Sequence, residues 1–225
     1  MSKEKLDTHV IKPQVVLYVG EQEQRLISLA DEQELDSKIE EIELFIANND
    51  GVDKSEEVKD TLYGTAIDIW KDYAQHVKNV KFTFYLNRKQ YNFITELLLK
   101  KIEYDVDTVF LGINLTNMLG QWKNVGAHAN DTDVNSYEAN GTEITYIYHL
   151  IAKFKPKGLD NSAYRFAEIL TKIGEVSKVI KYYDTNAQNL TSAITKWVAS
   201  FDGEIEEELV NGIEVNGQIS TSDFK

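Results

Sequence analysis

The chain has 225 residues and no cysteine, carries a formal net charge of −13 at pH 7, and is 42% hydrophobic and 11% aromatic. The missing thiols exclude disulfide frameworks, thiolate zinc sites, iron–sulfur ligation and cysteine nucleophiles, while 12 Tyr, 9 Phe and 3 Trp exclude a wholly disordered polyelectrolyte. A field of this sign repels bare phosphate backbones and favours basic partners.

The first apolar run, Val15 to Val19, is too short for a signal-peptide core or a membrane span, and it reads as a short strand behind Pro13. No later run is longer in kind, so a soluble, cytoplasmic chain with no membrane partner is expected. From Glu21 to Asn48 the spacing predicts a helix, with Leu35, Ile39, Ile42 and Ile46 on one face and Glu40, Glu41 and Glu43 turned to solvent. Asp53 and Glu56 form a capping box for a helix over 54–77, whose stripe is Val58, Leu62, Ile69, Trp70, Tyr73 and Val77. Val80, Phe82, Phe84 and Leu86 then alternate with polar residues, the period of a half-buried strand. Asn87 and Gln90 repeat the capping logic and open a helix to Tyr104 that buries Tyr91, Ile94, Leu98 and Ile102.

Residues 106–119 fit either period, and Asp107 with the length of the run favours helix. Gly120 to Gly141 is the longest polar stretch and is expected to be a loop. The β-branched and aromatic residues of Glu143 to Phe154 predict a central strand beside Val80 to Leu86. A helix capped within Asp160 to Ser162 carries Tyr164, Phe166, Ile169, Ile173, Val176 and Ile180. A second carries Leu190, Ile194, Trp197 and Phe201, with Asp184 at a helix terminus between them. From Asp202 the periodicity ends, leaving an acidic tail or a small meander through Asn211-Gly212 and Asn216-Gly217. No repeat at solenoid periods and no Pro/Ser-rich linker divides the chain. The expectation is a helix-dominated α+β domain over 1–201, with a small sheet packed by amphipathic helices, and a tail over 202–225.

Chemistry-bearing residues concentrate in the polar loop. His128, Asp131 and Asp133 are the candidate metal ligands, near Asn135 and Glu138, because hard divalent cations prefer such oxygens. Asp131-x-Asp133-x-Asn135 resembles the opening of an EF-hand loop, but Ser136 stands where the sharp turn needs Gly and Thr142 where a bidentate Glu belongs. A divalent-metal-dependent hydrolase is therefore an alternative reading, and a solvated loop rich in turn residues accounts for the same composition. G-x-S-x-G, P-loop, G-x-G-x-x-G and H-E-x-x-H patterns are all absent. His149 is expected on the central strand as a hydrogen-bonded core residue, and His76 at a helix C-terminus.

Lys81, Arg88 and Lys89 lie among Phe82, Phe84, Tyr85 and Tyr91, a pattern that can stack and neutralise a nucleic-acid strand. A nucleic-acid accessory protein is thus a second alternative, opposed by the overall charge. The leading expectation is a non-enzymatic interaction, assembly or regulatory subunit docking onto a basic protein surface, with Trp122, Glu204, Glu206, Glu207 and Glu208 as its contacts. A homo-oligomer is compatible with that surface. No resident cofactor is expected, and a divalent cation only in the hydrolase reading. Arginine occurs only at Arg25, Arg88 and Arg165 against many lysines, a bias that an A-rich genome such as that of a virus or phage produces.

Overall fold

A glycine at φ +63° turns the chain back at residue 20, a conformation that costs glycine no steric penalty. The structure, a computed structural model, describes residues 10–50, 55–102, 120–123, 134–153 and 161–201. At this turn β1 (Val16–Val19) pairs antiparallel with β2 (Gln22–Arg25), Val19 lying opposite Gln22. The helix expected from Glu21 therefore starts later, as α1 (Leu29–Asn48), where Ser28 accepts a hydrogen bond from the Asp31 amide at 3.0 Å. Gln22–Arg25 has no helical period of its own; pairing with β1 decides its conformation.

Next comes α2 (Glu56–Asn79), with Ser55 at its N-cap; Asp53 lies outside the described residues. Trp70, Tyr73 and Val77 are buried as expected, with Leu62 and Ile69 half-buried, but Val58 is 45% exposed because the packing surface begins a turn later. The strand β3 (Lys81–Asn87) buries Phe82, Phe84 and Leu86 in strict alternation. It leads directly into α3 (Arg88–Ile102) through reciprocal hydrogen bonds: the Gln90 amide donates to Asn87 Oδ1 at 2.9 Å and the Asn87 amide to Gln90 Oε1 at 3.1 Å. Residues 106–119 lie outside the described part.

Two assignments change in the next stretch. The end of the expected loop is a strand, β4 (Val134–Asn140), and the expected central strand is a helix, α4 (Gly141–Lys153). This helix buries Ile144, Tyr146, Ile147 and Ile151 and half-buries Tyr148, His149 and Leu150, so apolar residues occupy most of its circumference and hide the 3.6-residue period. Gly141 packs closely at its start: a Cβ there would stand 3.3 Å from Ile180 Cγ2, tight enough that the isoleucine would have to shift by a few tenths of an ångström. The two helices expected after residue 160 are one, α5 (Asn161–Ala199). Its buried seam runs without a break from Ile180 through Tyr183 and Asn186 to Leu190, and Asp184 lies in mid-helix rather than at an end.

β3 and β4 form an antiparallel ribbon with Lys81 opposite Asn140 and Asn87 opposite Val134. β4 ends on Asn140, and Asn140 with Glu143 repeats the Asn87–Gln90 box at 2.8 and 2.9 Å. The chain thus contains two strand–box–helix units related by a local two-fold through the Phe84–Tyr137 pair. Phe84 matches Tyr137, Leu86 matches Ala139, Gln90 matches Glu143, Ile94 matches Ile147 and Leu98 matches Ile151, and every one of these residues is buried. The equivalence is nearly silent in sequence: Asn87/Asn140, Ile94/Ile147, Leu97/Leu150 and Lys100/Lys153 alone are identical across the paired segments.

The hairpin joins this ribbon through Leu26 and Ile27. The Thr83 amide donates to the Leu26 carbonyl at 2.9 Å, and Ile27 bridges to Phe82, so the two two-stranded sheets β1–β2 and β3–β4 meet at this point. Helices cover the assembly, with Trp70 Nε1 donating to the Ala187 carbonyl at 2.8 Å to fasten α2 to α5. The fold is α+β and helix-dominated. No helix among the described residues is long and apolar enough to cross a membrane.

Candidate functional site

Charge on α1 is sorted by position along the helix. In its first half, Lys12 Nζ meets Glu32 at 2.7 Å and Asp36 at 2.5 Å, and Arg25 meets Glu32 at 2.5 Å. Tyr183 Oη donates to Asp36 Oδ1 at 3.4 Å, tying the network to α5. Burial works against the charge of Lys12, but Asp36 and Glu32 outweigh it and hold its ammonium above the usual lysine value. Lys38 pairs with Asp72 of α2, and its pKa is raised chiefly by that carboxylate.

The second half of the helix is different. Glu40, Glu41 and Glu43 are exposed and form no ion pair among the described residues, and the last turn of α1 contains no basic residue. Leu44, 53% exposed, lies beside them in sequence. This is an acidic surface with an apolar point, held on a rigid element.

His76, in the last turn of α2 as expected, sits between two acids of α1, with Nδ1 3.5 Å from Glu34 and Nε2 3.9 Å from Asp31. His149 lies on α4, half-buried, with its ring 5.9 Å from that of Tyr148. Among the described residues no group of three or more His, Cys, Asp or Glu could hold a metal ion. His128, Asp131 and Asp133 fall outside the described residues, as do Glu204, Glu206, Glu207 and Glu208.

Lys81, Arg88 and Lys89 are all exposed near the ends of β3, but the aromatic side chains between them are occupied. Phe82 and Phe84 are 0% and 1% exposed, Tyr85 donates its hydroxyl to the Arg25 carbonyl at 3.0 Å, and Tyr91 stacks on Tyr137 at 5.3 Å. Phe82 and Phe84, being buried, present no face to a base. Lys81 also lies 3.8 Å from the buried carboxylate of Glu143. Trp122, a candidate partner contact, is only 2% exposed; its indole donates to the Glu138 carbonyl at 2.9 Å and packs edge-on against Phe84 and Tyr137. It closes the core over the ribbon.

Sequence reasoning passed over one polar cluster. Lys172 Nζ, half-buried on α5, donates to the Tyr85 carbonyl at 2.8 Å and reaches Gln90 Oε1 at 3.3 Å, while Gln90 Nε2 donates to Glu168 at 3.0 Å. Desolvation lowers the Lys172 pKa, partly opposed by Glu168. Each member is used in holding α5 against the β3–α3 junction, so the cluster reads as a positioning device. Its signal in sequence was only a lysine inside an apolar helix pattern. Comparison with protein-family models, with curated proteins and with solved structures finds no match to this chain.

Proposed function

We propose that this chain is a non-enzymatic interaction or regulatory subunit that docks onto a basic protein surface through the outer face of α1. The observation that carries the reading is the contrast along that helix: Glu32 and Asp36 in its first half are paired with Lys12 and Arg25, whereas Glu40, Glu41 and Glu43 stand exposed without ion pairs among the described residues. Exposed acids without ion pairs are complementary to a cationic partner surface. Complementarity of this kind governs association rate and partner choice more than bulk affinity.

The test is a pull-down with the full chain and with a Glu40→Lys/Glu41→Lys/Glu43→Lys variant, at low and high salt, alongside thermal melts of both. A partner held by the wild type at low salt, released at high salt and lost in an equally stable variant supports the reading. A variant that retains the same partners at the same salt removes it.

A further inference from the structure

The two ribbons meet at Leu26 and Ile27, which leaves β1 and β4 on the sides away from that junction, and the protein treats these two edges differently. On β4 the outward carbonyl of Glu138 is taken by the Trp122 indole, so a side chain covers that edge. Among the described residues β1 has no such cover.

Its outward groups can be identified from one hydrogen bond. The Leu26 amide donates to the Val15 carbonyl at 2.8 Å, so Val15 faces β2, and with it Leu17 and Val19 by the two-residue period of a strand. The main-chain groups of Val16 and Tyr18 therefore point away from β2, and they have no backbone partner among the described residues. Proteins usually blunt such edges with lysine, proline or a bulge within the strand. Here the strand is Val-Leu-Tyr-Val, regular in register, with Tyr18 65% and Val19 55% exposed. Pro13 before it and Gly20 after it limit the available window to a few residues.

The charge around this edge selects the occupant. Glu21 and Glu23 are exposed at the turn, and the cations on either side are already committed, Arg25 to Glu23 at 3.6 Å and to Glu32, and Lys12 to Glu32 and Asp36. A second copy of the chain would bring its own Glu21 and Glu23 into this negative field. We infer that β1 is a docking edge for an extended segment of a partner protein in which apolar residues alternate with lysine or arginine, adding a strand beside Val16 and Tyr18 with its cations toward Glu21 and Glu23. In this mode main-chain hydrogen bonds supply affinity and alternate side chains supply specificity. The inference deepens the proposed function, since it rests on the partner being basic, but it uses a different surface from the outer face of α1.

The probe is a synthetic heptapeptide of alternating lysine and valine, with an N-methylated version that cannot form main-chain hydrogen bonds and a glutamate–valine version. Binding to the full-length protein is followed by fluorescence anisotropy, and pairing by the amide I shift of a 13C-labelled peptide carbonyl. Tyr18→Pro removes an outward N–H while leaving the bonds to β2, and Tyr18→Lys, which keeps every main-chain group, serves if the proline variant fails to fold. The expected result is binding by the lysine–valine peptide with a β-type amide I shift, and at least about a tenfold loss in either Tyr18 variant and with the N-methylated peptide. In the Glu40→Lys/Glu41→Lys/Glu43→Lys variant the β-type amide I shift and its loss on Tyr18 substitution should persist, whatever happens to the total binding. Binding that ignores Tyr18 but is lost in the α1 variant overturns the edge inference and leaves the α1 reading standing. Absence of binding, or equal binding of the glutamate–valine peptide, overturns it as well. A concentration-dependent dimer in sedimentation equilibrium that Tyr18→Lys abolishes assigns the edge to a second copy and overturns the basic-partner inference.

Discussion

Tyr73 donates its phenolic hydrogen to the main-chain carbonyl of Tyr183 at 3.0 Å, linking α2 to the middle of α5. Both rings are fully buried, and Tyr183 in turn donates to Asp36 on α1, so two phenols connect three helices in series. Replacing Tyr73 by Phe keeps the ring and removes the hydrogen bond. A loss of about 1 kcal/mol is expected in urea denaturation, with an unchanged slope, because the orphaned carbonyl lies inside a helix.

The same two phenols predict the alkaline behaviour. Desolvation raises the pKa of Tyr73 and of Tyr183 far above the usual tyrosine value, with nearby negative groups adding to it, and desolvation pushes Tyr137 up to about 12. A phenol that ionises less readily when folded contributes stability that is intact below the unfolded pKa of 10.0 and is lost as pH rises above it. The raised pKa of Lys12 acts in the same direction above 10.5. Spectrophotometric titration should therefore show a fraction of the tyrosines ionising late and together with unfolding.

Lys172 has the opposite sign. Its folded pKa lies below 10.5, so protonation is penalised in the native state at neutral pH and the penalty is relieved as pH approaches 10.5. The stability of the wild type relative to Lys172→Met should rise over that approach. Parallel denaturant titrations at pH 7 and pH 10 measure it, and a difference independent of pH refutes the assignment.

The two capping boxes should differ in tolerance. Asn87→Ala and Asn140→Ala each cost about 1 kcal/mol. Glu143→Gln preserves the acceptor for the Asn140 amide and should cost little, whereas Gln90→Glu replaces the amide that donates to Glu168 with a second carboxylate and should cost more. Denaturation midpoints of the four variants decide this.

Trp70, Trp122 and Trp197, the three tryptophans of the chain, are 7%, 2% and 5% exposed. Iodide should quench native fluorescence weakly and unfolded fluorescence strongly. Trp122→Ala should cost about 3–5 kcal/mol, the penalty of a core cavity rather than of a lost surface contact.

What the sequence made legible follows from where local and tertiary signals agree. At Asn87 the strand period, the capping pair and the helix period meet, and the junction is readable. At Asn140 the same capping pair is present, but α4 is packed on several sides, and its β-branched and aromatic residues imitate a buried strand. β2 has four polar or charged residues, of which only Gln24 is buried, so register with β1 and not propensity creates it. Glu40, Glu41 and Glu43 were legible as a solvent face because α1 keeps its stripe of Leu35 and Ile42. The open edge of β1 was not, since openness depends on what other segments leave uncovered.

The pairing of β3 with β4 sets the timetable of assembly. The β1–β2 hairpin closes through two residues, and α1 can meet α2 after a short connection, so both form early. Asn87 and Val134 are partners in the ribbon yet far apart along the chain, and bringing them together carries a loop-closure cost that no local contact repays. The Phe84–Tyr137 centre is thus expected to zip after the β1–β2 hairpin and the α1–α2 contact, although the strands that start α3 and α4 both run through it. A newly made chain whose ribbon is still open would present Phe82, Phe84 and Tyr137 to its surroundings, and the speed of that single closure governs how long it is vulnerable to aggregation.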